Sequence, residues 1–482
     1  MSACACPKTK PVSEMDARER CLLINDLTPQ GGLYTEGQRP VHERSNAPWR
    51  VSPEPFWIPR PVLDHLEALG KHLLKFYRAC NLLYSQSVRG IHPAWIADYL
   101  DRGKPEPVVA YGRMNRFKQH LPHVIRPDLI PIKGAMVATE LDSVPGGIGF
   151  TASLAQRYGR LDYPIVGGPD GMILGFADMV RDAAQHENPT LGIIVSEESS
   201  NYRSEMAWLG EELNRTGLRT AVASPEEVAF SEDGLRVNLD GTPTRIDILY
   251  RFFELFDLKN IPKAELMLYA AKKGTVALTP PAKAYLEEKL WMALFHHPVI
   301  EKFWITELGE ETFIFLKTTF PKTWVLDPRP LPPHAVIPGL EVHGYPIAGW
   351  DALHRLTQKE RALVVKPSGF SEMAAGSRGV SIGHDMSEET WQEVLKDALN
   401  SFETTPCILQ EFHKGAQFNA DYYDFEADAV RRLNGRVRLC PYYYVIQGEA
   451  RLSGILATIC PPDKKLLHGM VDAIMVPCGV KS

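Results

Sequence analysis

Apolar positions along the chain change period from one region to the next. Over residues 61–100, Val62, Leu63, Leu66, Leu69, Leu73, Leu74, Phe76 and Tyr77 recur at three- and four-residue intervals, which places them on one face of a helix. Helices packed on a larger body are predicted there. The preceding residues 1–55 hold Pro, Gly, Arg and Glu with little periodicity and read as an extended arm or irregular cover. Two short strands are predicted at 124–131 and 136–142, followed by a turn at Pro145, Gly146 and Gly147 and then a helix.

From about residue 190 the pattern alternates: strand 191–195, helix 202–216 ended by Gly217, strand 219–223, and a strand around 246–250. Such alternation predicts a small open α/β sheet of mainly parallel strands. No Gly-x-Gly-x-x-Gly follows its first strand, so it reads as a scaffold shaping a substrate cleft and carries no dinucleotide signature. Over 280–482 the pattern predicts helix 284–296, strand 362–367, a Gly- and Ser-rich loop, helix 388–402, strand 408–412 and late strands at 436–447 and 452–459. Pro328 to Pro338 read as a linker or surface loop.

Composition narrows the class. At 482 residues, two to four packed units are expected. The 44% hydrophobic and 23% charged content is that of a soluble globular protein, and a net charge of -6 gives no footprint for nucleic acid. Eight cysteines are neither dense nor spaced as a zinc or disulfide framework, and Cys4 and Cys6, in a polar tail, are given no role. The N-terminus lacks the apolar core of a signal peptide, and no run approaches the roughly 18 apolar residues that span a bilayer, so a cytoplasmic location is expected.

The strongest local chemistry is Lys366 at the end of an apolar strand, followed by a small-residue loop with Gly369, Gly376, Ser377 and Gly379 before the next strand near Val380. Small residues let backbone N–H groups approach phosphate oxygens, and the lysine neutralises their charge. The order is not that of a Walker motif, and no Gly-x-Ser-x-Gly elbow supports a hydrolase. About 40 residues on, a second apolar strand ends in Gln410, Glu411 and Phe412, against which an adenine is expected to lie.

A lysine strand, a glycine loop and a Gln-Glu strand in this order resemble the ATP-grasp superfamily, in which two α+β lobes close on ATP. That resemblance implies carboxylates holding Mg²⁺ on the nucleotide phosphates. The usual Glu-x-Asn pair near the C-terminus is missing. Instead Arg126-x-Asp128 is followed, eleven residues intervening, by Glu140-x-Asp142, ahead of the nucleotide lobe. Alternate strand residues share a face, so Glu140 and Asp142 point the same way.

This order resembles the glutathionylspermidine synthase-like, circularly permuted ATP-grasp ligases over roughly residues 110–475. The resemblance implies Asp128, Glu140 and Asp142 as metal ligands, with Asp142 standing where the group has Asn, and Arg126 as the catalytic cation on the transferred phosphoryl group. Acids capping a strand turn are the alternative. It implies a second ATP lysine at Lys289, or else at Lys322, beside Lys366, Gly376, Ser377, Gly379, Gln410, Glu411 and Phe412. Arg251 and Asp257 touch substrate or pair with each other; Arg438 and Arg451 meet phosphate or substrate carboxylate or are strand-edge charges.

The expected architecture is therefore α+β / α/β, a circularly permuted ATP-grasp with an inserted small Rossmann-like (pre-ATP-grasp) domain. Its parts are an N-terminal arm and helical region (1–105), the permuted metal-binding part (106–188), the α/β domain (189–275) and the nucleotide-binding lobes (276–482). The implied activity is ATP- and Mg²⁺-dependent joining of a small-molecule or peptide carboxylate to an amine through an acyl-phosphate, with no nucleic acid or membrane partner. A kinase-type phosphotransferase and a degenerate binding or scaffold protein are the alternatives.

Overall fold

The computed structural model describes residues 11–33, 41–142, 144–374, 376, 378–464, 466–467 and 472–481. Cys4, Cys6 and Ser377 fall outside them. Among the described residues five sheets, three of them with four or more strands, form a mixed α/β body with the helices between them. Among the described residues no helix is long and apolar enough to cross a membrane.

The periodic stretch after residue 60 forms one long helix, Arg60–Val88, opened by Pro61 in its first turn, where a missing N–H costs nothing. Its apolar stripe, including Leu66, Leu69, Leu73 and Phe76, is buried. Gly70 sits where the helix meets the large sheet: a Cβ there would lie 2.5 Å from the ring of Tyr443. Tyr443 then donates its hydroxyl to Leu66 O at 2.6 Å, fastening helix to sheet.

That sheet runs in the order Phe56–Pro59, Ile474–Lys481, Glu449–Cys460, Ala429–Ile446, Val124–Ile132, Ala135–Asp142, with Gln417–Asp424 also pairing Ala429–Ile446. The hairpin 124–142 turns at Gly134, whose φ of +80° suits glycine. It pairs Arg126 with Asp142 and Asp128 with Glu140, then shifts register between Asp128 and Leu129. Such a bulge bends a strand locally. Strands far apart in sequence thus become neighbours: Leu439 pairs with Leu129 and Tyr443 with Ile125.

The second sheet is parallel, Ala277–Thr279, Ile248–Phe252, Leu191–Val195, Thr220–Ala223. All five residues of Leu191–Val195 are buried, as expected of a strand covered on both faces. The third sheet is antiparallel, Thr323–Val325, Cys407–Glu411, Leu363–Pro367, Ser381–Ile382. Leu363, Val365 and Leu409 face a core with Trp391 and Leu395 of the helix Glu388–Asn400, so alternation turns Val364, Lys366 and Gln410 the other way.

Several expectations change. The arm before residue 55 contains the helix Ala17–Asp26, opened by a capping box between Asp16 and Glu19. The helix expected at 284–296 is broken into Ala284–Glu287 and Leu290–His296, because Glu288 adopts an extended backbone and turns its carboxylate to Lys104, Ser368 and Gly369. The strand placed near 246–250 runs over Ile248–Phe252. Helices Gly171–Ala184, Glu301–Leu308 and Glu310–Thr319, the small antiparallel meander over 229–245 and the strand Gln417–Asp424 were not anticipated.

Candidate functional site

The inward face of the antiparallel sheet looks onto the 124–142 hairpin across a cavity of about 100 Å³, lined by Lys366, Gln410 and Glu411 on one side and Asp128, Glu140 and Arg438 on the other. Lys366 is 7% exposed. Its ammonium donates to Gln410 Oε1 at 2.9 Å and to the carbonyl of Thr139 at 3.0 Å. Burial pushes its pKa down to about 8, against the pull of Glu140. Lys366 therefore ties the antiparallel sheet to the hairpin.

The hairpin concentrates charge. Arg126 pairs with Asp142, approaches Asp128 at 3.1 Å and donates to Gly146 O at 3.0 Å. Arg438 reaches the other oxygen of Asp128 at 2.8 Å, and Cys440 donates its thiol to that carboxylate at 3.4 Å. Burial raises the pKa of Asp128, but Arg438 and Arg126 outweigh it and hold the carboxyl below its ordinary value. At Asp142 burial prevails over Arg126, and the pKa rises. Lys289 lies 2.8 Å from Glu140 Oε1 and donates to Ala374 O at 3.0 Å, so it joins the hairpin to the glycine-rich loop.

Of the two candidates for a second lysine, Lys289 is the one brought to the acids. Lys322 is 58% exposed and stands 4.0 Å from Glu411. Phe412 lines the cavity, its N–H bonded to Ala362 O at 2.9 Å and its ring edge-on to His384. Gly376 has a φ of +63°. Gly379 gives its N–H to Met373 O at 2.9 Å, and a Cβ there would meet Pro367 at 2.6 Å, so in this conformation its amide serves the loop.

Arg251 and Asp257 do not pair with each other. Arg251 is fully buried, held by Glu287 and by the carbonyls of Phe253, Pro280 and Pro281, whereas Asp257 accepts from Asn260. Lying within the strand Ile248–Phe252, this arginine clamps that strand to the segment 280–287. Arg451 sits away from the cleft beside Glu449. Arg438, in contrast, belongs to it. Sequence reasoning missed Arg436, which lines the cavity, and Glu254, whose carboxyl pKa burial, Glu287 and Asp142 raise well above its usual value. Arg436 and Arg438 had a signal: two cations at alternate positions where the strand passes into its buried run up to Ile446.

The donor set fits an anionic ligand. The Nε groups of Arg126, Arg436 and Arg438 are buried without an acceptor among the described residues, and an unsatisfied buried donor costs about 1–3 kcal/mol. For a divalent cation the oxygens of Asp128, Glu140 and Asp142 have suitable hard-ligand chemistry. They do not form one cluster: among the described residues no three Asp, Glu, His or Cys side chains gather as a metal site. The Glu140 side chain is the most accessible of the three, 31% exposed against 10% for Asp128.

No family model matches the chain, nor does any curated protein. Among solved structures, it is similar to a glutathione synthetase-like effector from Globodera pallida, with a TM-score of 0.56 at 12% identity over 98% of this chain and 99% of that one. A candidate gamma-glutamylcysteine synthetase from Methylobacillus flagellatus KT gives a TM-score of 0.39 at 15% identity, covering 76% of this chain and 82% of that one. The chain has a glutathione-synthetase-like fold.

Proposed function

We propose that this chain is an ATP-dependent carboxylate–amine ligase of the permuted ATP-grasp type, with its nucleotide held between the sheet of Lys366 and the 124–142 hairpin. The observation that carries the reading is the convergence of Lys366, Lys289, Arg126 and Arg438 with Asp128, Glu140 and Asp142 in one cleft. The pairing of 124–132 with 429–446 supports the permuted order, because the acids enter the sheet from the N-terminal side. The parallel sheet between hairpin and lobe supports its reading as the inserted substrate domain.

Lys366 and Lys289 would bind the phosphates of ATP, and Arg126 would steady the phosphoryl group as it passes to the substrate carboxylate. Glu140, the most accessible of the three acids, would be the residue to meet Mg²⁺, which would supply charge neutralisation on the phosphates. The carboxylate attacks the γ-phosphorus and ADP leaves. An amine then attacks the acyl carbon of the acyl-phosphate, expelling phosphate and losing a proton, to give the amide. The cleft needs to hold the partners in line and exclude water; no side-chain nucleophile is required. A binding protein on the same fold is the second reading, favoured by Asp142, whose carboxylate is engaged by Arg126.

The reading is tested by incubating the protein with Mg-ATP, a panel of amino-acid and dipeptide carboxylates, and hydroxylamine as the acceptor. A ligase yields hydroxamate together with ADP, and Glu140→Ala abolishes both while circular dichroism stays unchanged. ADP without hydroxamate indicates a kinase-type reaction; neither product with any carboxylate favours the binding protein.

A further inference from the structure

A second cavity, of about 1080 Å³, lies beside the edge strand Thr323–Val325, between that strand, the helices Trp95–Asp101 and Leu290–His296 and the proline-rich loop after residue 327. It shares no lining residue with the cleft. Its size is that of pockets that enclose small organic ligands.

Four half-buried rings face it, Trp95, Tyr99, Trp324 and Trp350. Three have their polar tips committed to the protein. Trp324 Nε1 donates to Pro338 O at 2.8 Å, Trp350 Nε1 to Asp327 O at 2.7 Å, and the Tyr99 hydroxyl to the Asp327 carboxylate at 2.5 Å. What the rings offer a guest is therefore rigid apolar surface.

The charges are unequally committed. Asp327 is occupied by Tyr99 and by Arg329, whose Nε lies 2.9 Å from both carboxylate oxygens. Asp351 is exposed at the rim. Lys317 is engaged by Glu301 at 3.6 Å and by the rings of Phe295 and Phe313. His296 is bonded to Phe320 O at 3.1 Å. Lys322 is the loosely held cation, 58% exposed with Glu411 at 4.0 Å.

We propose that this cavity binds a flat aromatic molecule bearing one anionic group, an aryl carboxylate, with the rings holding the flat part and Lys322 meeting the charge. The inference goes beyond the ligase reading and does not depend on it. The probes are naphthylacetate, its neutral amide and naphthylmethylammonium, titrated calorimetrically into the full chain without nucleotide. Naphthylacetate is expected to bind at least about tenfold more tightly than the amide, with the ammonium weakest, a factor of ten being about 1.4 kcal/mol. Trp324→Ala and Trp350→Ala should each weaken naphthylacetate by a similar factor, Trp324→Phe should retain it, and Lys322→Gln should erase the preference for the acid over the amide. Equal affinity for the three probes, binding indifferent to both tryptophan variants, or no heat at about 1 mM, a binding energy weaker than about 4 kcal/mol, would overturn the proposal.

Discussion

Lys289 Nζ stands 2.8 Å from Glu140 Oε1, linking the start of the helix Leu290–His296 to the acid-bearing hairpin. Together with Arg126 on Asp142 and Arg438 on Asp128, this contact pairs each acid of the hairpin with a cation. Burial alone would lower the Lys289 pKa, yet Glu140 outweighs it and raises it. A cation that enters at Glu140 and an anion that enters at Lys289 each remove what the other residue relies on, so the two ligands should enter together.

Lys289→Met separates the two halves of this exchange. Glu140 loses its partner and becomes freer to meet a divalent ion, whereas the nucleotide loses a cation. Mg²⁺ alone should then raise the melting temperature more than it does in the parent protein, because a ligand that binds only the native state stabilises it. Affinity for Mg-nucleotide should fall about tenfold, or about 1.4 kcal/mol. Differential scanning fluorimetry with Mg²⁺ alone reads the first effect and calorimetry the second; a parallel loss of both would show that Lys289 acts only as a structural tie.

Lys104 and Glu288 form an ion pair in which each side chain is 1% exposed, and Glu288 also receives Ser368 and the N–H of Gly369. Removing one charge strands the other, at a cost of about 3–5 kcal/mol. Lys104→Met should therefore lower stability by that order in urea titrations. Lys104→Met with Glu288→Gln should recover part of the loss. A single variant as stable as the parent would refute the buried-pair argument.

Glu205 is 2% exposed and accepts the N–H groups of Gly147 at 2.7 Å and Phe150 at 3.3 Å, at the start of the helix Ile148–Gly159. Burial raises its pKa from 4.5 to about 7, despite those bonds. Between these values the folded protein binds the proton that the unfolded chain has released. Its contribution to stability is thus full below pH 4.5 and is lost as pH rises to about 7, an effect of about 3 kcal/mol at 1.36 kcal/mol per pH unit. Glu205→Gln should flatten this part of the stability curve measured by urea titration at successive pH values; an unchanged slope would contradict the assignment.

Much of this was legible because it is local. Lys366 ends a run of apolar residues and Gln410 another, and strand alternation alone turns both to the same side. Glu140 and Asp142 were visible as an alternating pair. The lysine choice was not decidable from spacing, since what selects Lys289 over Lys322 is a break at Glu288 caused by Lys104, far away in sequence. Arg251 looked available for a substrate, but its neighbours Glu287, Pro280 and Pro281 come from a separate segment that folds over it. The same applies to Asp128, whose charge is balanced by Arg438 from the opposite end of the chain. Long-range ion pairs decide such roles, and they leave no periodic trace.

Enclosure of a nucleotide by Lys366 and the hairpin is read out by calorimetric titration of the full chain with the magnesium complex of the non-hydrolysable ATP analogue AMP-PNP. One site of about micromolar affinity, equivalent to about 8 kcal/mol, is expected. Lys366→Met should lose about 1.5–3 kcal/mol, the contribution of a hydrogen bond to a charged group. No binding by the parent protein at about 1 mM, or equal affinity in parent and Lys366→Met, would contradict it.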